Sequence, residues 1–379
     1  MILSKFELFR VQLRCHKPFR IATGVSDTCR TIVVRLTTDK GVSGFGEAVP
    51  KPVLTGETLE GCEATLNNLL WPTICDRPVW AVNELDAAMQ AVAPGSPSAR
   101  AAMNMAVNDI LGKAVQQPLF RMLGGSRSSV STNMSIGLCS LEETAAEAKR
   151  IVSEGYAAIK LKVGLDPEDD CARVRATREA VGPDIYLRLD ANEGWNYTQA
   201  LQALSMMEPY DVELIEQPLP RWNHTDMARL RERICIPLIA DESVRTPHDA
   251  IALVRAQSAV GFNIKLMKCG GIQQAAQIAA IARAAGMSLM VGGMVGESSI
   301  SVSAAASLAA AYSFEYCDLD ADMLLRDQLC PDSGLSQGPL RELNPALHGL
   351  GIPSIADIFL DAPINVNSRG FSIDHWANT

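Results

Sequence analysis

Residues 157–164 read Ala157-Ala158-Ile159-Lys160-Leu161-Lys162-Val163-Gly164, and the reading of this stretch decides the fold. In an extended strand successive side chains point to opposite faces, so Lys160 and Lys162 share one face while Ile159, Leu161 and Val163 share the other. Two ammonium groups on one face of an otherwise apolar strand repel each other and are costly to desolvate. The arrangement persists only where anions or a function compensate. Taken alone, the pattern also suits an exposed edge strand with its lysines in water. The surroundings point elsewhere: apolar residues precede, Gly164 follows, and helical patterns flank both sides, as for an interior parallel strand. The two lysines therefore mark a site.

Working outward from this strand, a unit of short apolar strand, loop and amphipathic helix recurs about eight times after Gly125. Strands are predicted at 130–136, 157–163, 185–190, 212–216, 237–241, 261–267, 288–292 and 314–318. Helices are predicted at 140–154, 169–181, 198–208, 226–233, 247–256, 272–285 and 299–311. This spacing is that of a TIM-like (β/α)8 barrel spanning 126–342, with the active site at the C-terminal ends of the strands. Residues 1–125 carry strands first and helices after, notably 99–113, which predicts an α+β capping domain. Within it Lys17 to Thr28 reads as a loop of mixed polarity suited to a lid. Residues 343–379, with apolar positions at Ile352, Ile355, Ile358 and Phe359, are expected to pack back on the capping domain.

Hydrophobic residues make up 47% of the 379 and charged residues 20%, ample for a large core. The net charge of −9 argues against nucleic acid or an anionic membrane surface as partner and favours a small molecule. No apolar run reaches the ~20 residues of a membrane span, and the start lacks a signal-peptide core, which points to the cytosol. The 10 cysteines are scattered without a Cys-x-x-Cys pair, so a disulfide framework or zinc cluster is a poor reading.

From the second strand onward each predicted strand finishes in a charge: Lys160 and Lys162, Asp190, Glu216, Asp241, Lys265, Glu297 just past the seventh, and Asp318 with Asp320 at the eighth. These form one ring at the top of a barrel. Any single Asp after a strand is more often a helix cap or turn residue. Three carboxylates in successive units, Asp190, Glu216 and Asp241, make coincidence the weaker account. All are hard oxygen donors with no histidine nearby, which suits Mg²⁺ better than Zn²⁺. Lys268, Glu242 and Asp322 read equally as site residues or as solvated or structural ones. His16, His224, His248, His348 and His375 fall outside the ring and read as structural or surface.

The set Lys160-x-Lys162, Asp190-Ala191-Asn192-x-Gly194-Trp195, Ile215-Glu216-Gln217-Pro218, Ala240-Asp241-Glu242-Ser243 and Asn263-Ile264-Lys265 resembles the enolase superfamily, muconate-lactonizing subgroup, over nearly the whole chain. Asp318-Leu319-Asp320 resembles the Asp-x-Asp of its dipeptide epimerases. The resemblance implies a barrel capped by a domain built from both termini, Mg²⁺ on Asp190, Glu216 and Asp241, and acid/base lysines at Lys162 and Lys265. It also implies a dipeptide α-ammonium bound by Asp318 and Asp320. Homo-oligomers are common in the family.

In that chemistry a proton α to a carboxylate is removed to give an enediolate whose charge a divalent ion spreads. A lysine base working beside Mg²⁺ is the established pairing of this superfamily, so its presence here follows from the resemblance. Lys160 beside Lys162, together with the nearby metal, is expected to depress the pKa of the base toward the working range. Lysines on opposite sides of the barrel imply inversion at the α-carbon. Ser135, Glu297, Thr23, Arg20 and Asp322 complete the substrate-binding candidates. Thr23 stands where Ala-Glu enzymes tend to carry an arginine, with Arg20 or Arg30 as replacements, and Asp322 adds negative charge suited to a cationic side chain. N-acylamino-acid racemase, o-succinylbenzoate synthase and muconate cycloisomerase keep the same fold with other substrates. A Schiff-base aldolase and a silent binding barrel are the readings from other classes.

Overall fold

Antiparallel strands β1 (Leu3–Ile21), β2 (Gly24–Thr38) and β3 (Ser43–Ala48) open the chain in the computed structural model, which describes residues 1–356 and 359. Period-two alternation buries this sheet on both faces. Leu8, Ile32, Val34 and Leu36 pack on helices of the same domain, while Phe9, Val11, Leu13 and Val33 join the core shared with the barrel. Helix Pro97–Ala114 lies directly on β3, and the contact needs glycine: a Cβ on Gly46 would collide with the Ala102 carbonyl.

The stretch expected as a lid loop at 17–28 is instead the end of a β-hairpin, with Ile21 opposite Gly24 and only Ala22 and Thr23 at the tip. Its alternation is hidden in the sequence because the register slips between Arg14 and Phe19, where Pro18 also lacks a backbone donor.

Beyond β4 (Ser129–Ser131) come eight parallel strands: β5 (Met134–Ile136), β6 (Ala158–Lys162), β7 (Tyr186–Asp190), β8 (Val212–Glu216), β9 (Leu238–Ala240), β10 (Gly261–Ile264), β11 (Ser288–Gly292) and β12 (Tyr316–Asp318). They lie side by side in chain order, β5 to β12. The Asn133 N–H donates to the Cys317 carbonyl at 3.2 Å, tying the two ends of the series together. This is the expected (β/α)8 barrel. The crossover helices start where polar caps stand, with reciprocal capping boxes at Ser140 with Glu143, Asn196 with Gln199 and Thr246 with Asp249.

Two strand expectations change. The first predicted strand is split, because 129–131 leaves the barrel to pair with β13 (Leu340–Glu342). The sixth ends at Ile264, and Leu266–Cys269 is a helical turn that begins straight after Lys265.

The tail returns to the capping domain as far as it is described. The Leu119 N–H donates to Gly349 O and the Leu350 N–H to Asp109 Oδ1, at 2.8 and 2.9 Å. Ile352 and Ile355 are buried but stand outside any strand. Ile358 and the stretch 360–379 of the expected tail lie outside the described residues. Among the described residues no helix is long and apolar enough to cross a membrane, and the ten cysteines are all free.

Candidate active site

Parallel register brings the charges together. Lys162 is the lateral partner of Asp190, and Asp190 of Glu216, so the three side chains rise at one level on the same side of the sheet. Asp241 follows the end of β9, Lys265 the end of β10, and Asp318 ends β12. All six are buried.

The carboxylates hold the lysines tightly. Lys160 is wholly enclosed, its Nζ 2.6 Å from Asp318 Oδ2, 2.8 Å from Glu216 Oε2 and 2.9 Å from Asp190 Oδ2. Lys162 Nζ donates to Asp190 Oδ2 at 2.6 Å, and Lys265 Nζ to Asp241 Oδ2 at 2.7 Å. Lys268, ambiguous in the sequence, is buried: its Nζ pairs with the Asp241 carboxylate and donates to the carbonyls of Asp241, Val244 and Asn263. It anchors the loop that carries Asp241.

The surrounding acids, more than the neighbouring ammonium, set the charge state of Lys160 and Lys265. Burial works against both ammoniums, but Asp190, Asp318 and Glu216 outweigh it at Lys160, as Asp241 and Glu216 do at Lys265. Both lysines are held above their ordinary value. Repulsion between neighbours is answered by acids placed between them.

The acids outnumber the bases. Lys160, Lys162, Lys265 and Lys268 face Asp190, Glu216, Asp241, Glu242, Asp318 and Asp320, leaving an excess equal to the charge of one divalent cation. The excess shows in the titration. Burial, then the neighbouring Asp190, pushes Glu216 up to about 7; burial and Asp241 push Glu242 up to about 8. Glu216 Oε2, Asp241 Oδ1 and Glu242 Oε2 are buried and lack a hydrogen-bonding partner. The first two lie near Lys160 and Lys268 as charges only, off the direction a hydrogen bond requires. Among the described residues no three acidic, histidine or cysteine side chains already surround one point as ligands. In donor type and surplus charge, and at Glu216 and Asp241 in an unsatisfied oxygen each, Asp190, Glu216 and Asp241 nevertheless fit a hard divalent cation.

Above this floor lies a cavity lined by Lys162, Lys265, Ser135, Asp318 and Asp320 below, and by Phe19, Ile21, Thr23, Ser26, Lys51, Val53 and Leu54 of the capping domain above. Asp318 Oδ1 accepts from Asn133 Nδ2 at 2.7 Å and from Ser135 Oγ at 3.3 Å; Asp320 Oδ2 accepts the Ser135 N–H at 2.7 Å. Burial and the Asp318 charge push Asp320 up to about 6. The two acids converge with Ser135, as a site for an ammonium requires.

Three substrate-binding candidates sit elsewhere. Arg20 alternates with Phe19 and Ile21, so while they face the cavity it lines an outer groove with Leu138, Cys139 and Glu143. Asp322 is 1% exposed and bonded to the buried Arg341 at 2.6 Å, so it adds no free charge to the rim. Glu297 is buried behind the cavity wall, accepts the Met294 N–H at 2.8 Å, and is pushed up to about 8, chiefly by burial. Arg30 does not line the cavity either.

Residues that pattern reading passed over complete the walls. Arg221 binds Glu193 and donates to the carbonyls of Val53 and Leu54, and Arg245 donates to that of Thr55, so barrel arginines fix the loop that carries Lys51. Asn192, at the left-handed φ of 44°, donates to Glu242. Asn192 belonged to a legible motif; Lys51 in Val49-Pro50-Lys51-Pro52 had no local signal.

Comparison with known proteins adds to this geometry. Residues 5–124 match the N-terminal domain of mandelate racemase/muconate lactonizing enzyme, and residues 143–353 match the enolase C-terminal domain-like family. The L-Ala-D/L-Glu epimerase of Bacillus subtilis is 34% identical over 356 residues, 93% of this chain and 97% of that protein. The N-succinyl-L-Arg/Lys racemase of Bacillus cereus is 34% identical over 306 residues, 80% of this chain and 83% of that one. A structure of the dipeptide epimerase from Enterococcus faecalis V583, complexed with Mg and the dipeptide L-Leu-L-Tyr, superposes with a TM-score of 0.89 at 35% identity, covering 93% of this chain and 99% of that one.

Proposed function

The chain belongs to the mandelate racemase/muconate lactonizing enzyme family of the enolase superfamily, and from that premise we propose that it is a Mg²⁺-dependent dipeptide epimerase. It is an isomerase, as its epimerase and racemase relatives are by name. The observation that carries the finer reading is the cavity floor: two lysines from separate strands beside a pair of acids that can take an ammonium.

Asp190, Glu216 and Asp241 would hold the ion. When bound, Mg²⁺ would offset the negative charge that grows on the substrate carboxylate as its α-proton leaves. Lys162, on β6, and Lys265, after β10, address the α-carbon of the C-terminal residue from opposite sides, so a proton taken at one face is returned at the other and the centre inverts. Lys160, closed off from the cavity, sets the electrostatics of Asp190, Glu216 and Asp318 and does not touch substrate. Asp318 and Asp320 orient the dipeptide through its α-ammonium. The capping hairpin and the 51–55 loop close over the substrate and exclude water.

Incubation with Mg²⁺ and pooled dipeptides in D₂O, read by mass spectrometry, tests this. The expected result is a gain of one mass unit that vanishes in Lys162→Ala and in EDTA, and returns with added Mg²⁺. N-acylamino-acid racemization is the second reading, favoured by the Bacillus cereus relative. Such a substrate has no ammonium for Asp318 and Asp320, and exchange only with N-succinyl amino acids would move the assignment there.

A further inference from the structure

Among the charged groups lining the cavity, Lys162, Lys265 and Arg221 each have a carboxylate partner, Asp190, Asp241 and Glu193 respectively. Lys51 has none: among the described residues its ammonium forms no ion pair, and its polar contact is the Ser26 hydroxyl at 3.4 Å. None of the acids closest in influence, Glu47, Glu297 and Asp27, forms an ion pair with Lys51, although Glu47 Oε1 is itself without a hydrogen-bonding partner. Glu47 Oε2 accepts from the Ser298 N–H and from the Ser298 and Ser301 hydroxyls, and Glu297 takes the Met294 N–H. The loop of Lys51 is held by Arg221 and Arg245, so the ammonium is presented from a fixed backbone. Ile21, Val53, Leu54, Met294 and Val295 supply apolar wall around it.

We propose that Lys51 selects the substrate, binding the carboxylate of an acidic side chain on the residue whose α-carbon is inverted. This rests on the dipeptide reading above. The expected Asp322 charge, which favoured a cationic side chain, is cancelled by Arg341, and the unbalanced group in the roof is positive. The ammonium end of the dipeptide goes to Asp318 and Asp320, where a further anion would be repelled. The side-chain anion belongs at Lys51, with its methylenes on the aliphatic wall.

The test is α-proton exchange by the purified full-length protein with Mg²⁺ on L-Ala-L-Glu, L-Ala-L-Gln, L-Ala-L-Leu and L-Ala-L-Lys. The expected wild-type kcat/KM for the Glu dipeptide exceeds that for Gln by about tenfold or more, mainly through KM, as befits one charge-assisted hydrogen bond. Lys51→Met should bring that ratio close to one, and Lys51→Glu should turn the preference toward the Lys dipeptide. A Glu/Gln ratio near one in the wild type, or an unchanged ratio in a folded Lys51→Met protein, overturns the assignment while exchange itself sustains the epimerase reading. Exchange with none of the four dipeptides overturns both.

Discussion

Lys160 in the barrel floor and Lys51 in the roof are lysines of one site with opposite surroundings. The first is closed over by Asp190, Glu216 and Asp318, while the second is half-buried and meets a serine hydroxyl. The floor is built on laterally paired strands whose register fixes Lys162, Asp190 and Glu216 against one another. The roof hangs from a hairpin tip and a loop. Chemistry that must place a proton within a few tenths of an ångström needs the first kind of support, and selection among side chains can use the second.

Removing Lys162 or Lys265 should break the floor most. Lys162→Ala and Lys265→Ala are each expected to lower α-proton exchange by roughly 10²–10⁴-fold, with circular dichroism unchanged. A folded variant retaining full exchange in both epimeric directions would show that the floor lysines are not the acid and base.

Lys160→Met should act on stability instead. It strips three buried carboxylates of one ammonium, a change expected to cost about 3–5 kcal/mol in urea unfolding in the presence of EDTA. The deficit should shrink as pH falls and those carboxyls protonate. A deficit independent of pH would point to lost packing as its source.

Glu297→Gln sharpens the contrast at the edge of the roof. The folded-state pKa of Glu297 is raised to about 8, chiefly by burial. The folded protein thus holds a proton that the unfolded chain releases near the ordinary carboxylate value of about 4.3. The associated stability is full below that value and is lost as pH climbs toward 8. Gln carries no such proton, so the melting temperature of the variant should gain on the wild type across this window; parallel curves would refute the assignment.

The smallest effect is expected where the hairpin is rooted. Asp327 accepts from the Arg14 side chain and backbone and is lowered to about 2, first by the Arg14 side-chain bond. A depressed carboxyl contributes stability above its unfolded value of about 3.9 and loses it as pH falls toward 2. Arg14 is well exposed, so the contribution is small. In Asp327→Asn the acid limb of the melting curve should flatten by a degree or so, while the Glu/Gln preference stays as in the wild type.

The floor was legible because its signals are local: an alternating strand, an acid at each strand end and the turn that follows. The same locality explains what stayed hidden. Arg20 and Ile21 differ by one position in a hairpin whose register slips at Pro18, so the sequence could not assign their faces. Asp322 is neutralised by Arg341, 19 positions away, through a contact that exists only once β13 has paired with β4. Lys51 became conspicuous only when the other cations lining the cavity, Lys162, Lys265 and Arg221, had each found a carboxylate. The enclosure of Lys160 stayed hidden for a related reason, since the strand shows the neighbouring lysine but not the acids that three other strands bring to it.

Glu47 of β3 reaches across to take the Ser298 N–H at the start of the helix Ser299–Tyr312, and Asn104 Oδ1 takes the Ile272 N–H at the start of Ile272–Ala284, a helix whose own N-cap is Gly271. Two barrel helices thus borrow their first-turn acceptors from the capping domain. Shuffling the two halves among relatives is therefore not a free operation: a grafted barrel needs a donor cap with Glu and Asn at these places. Calorimetry of the intact chain should show a single endotherm, because melting the cap uncaps two barrel helices and melting the barrel strips Glu47 and Asn104 of buried donors.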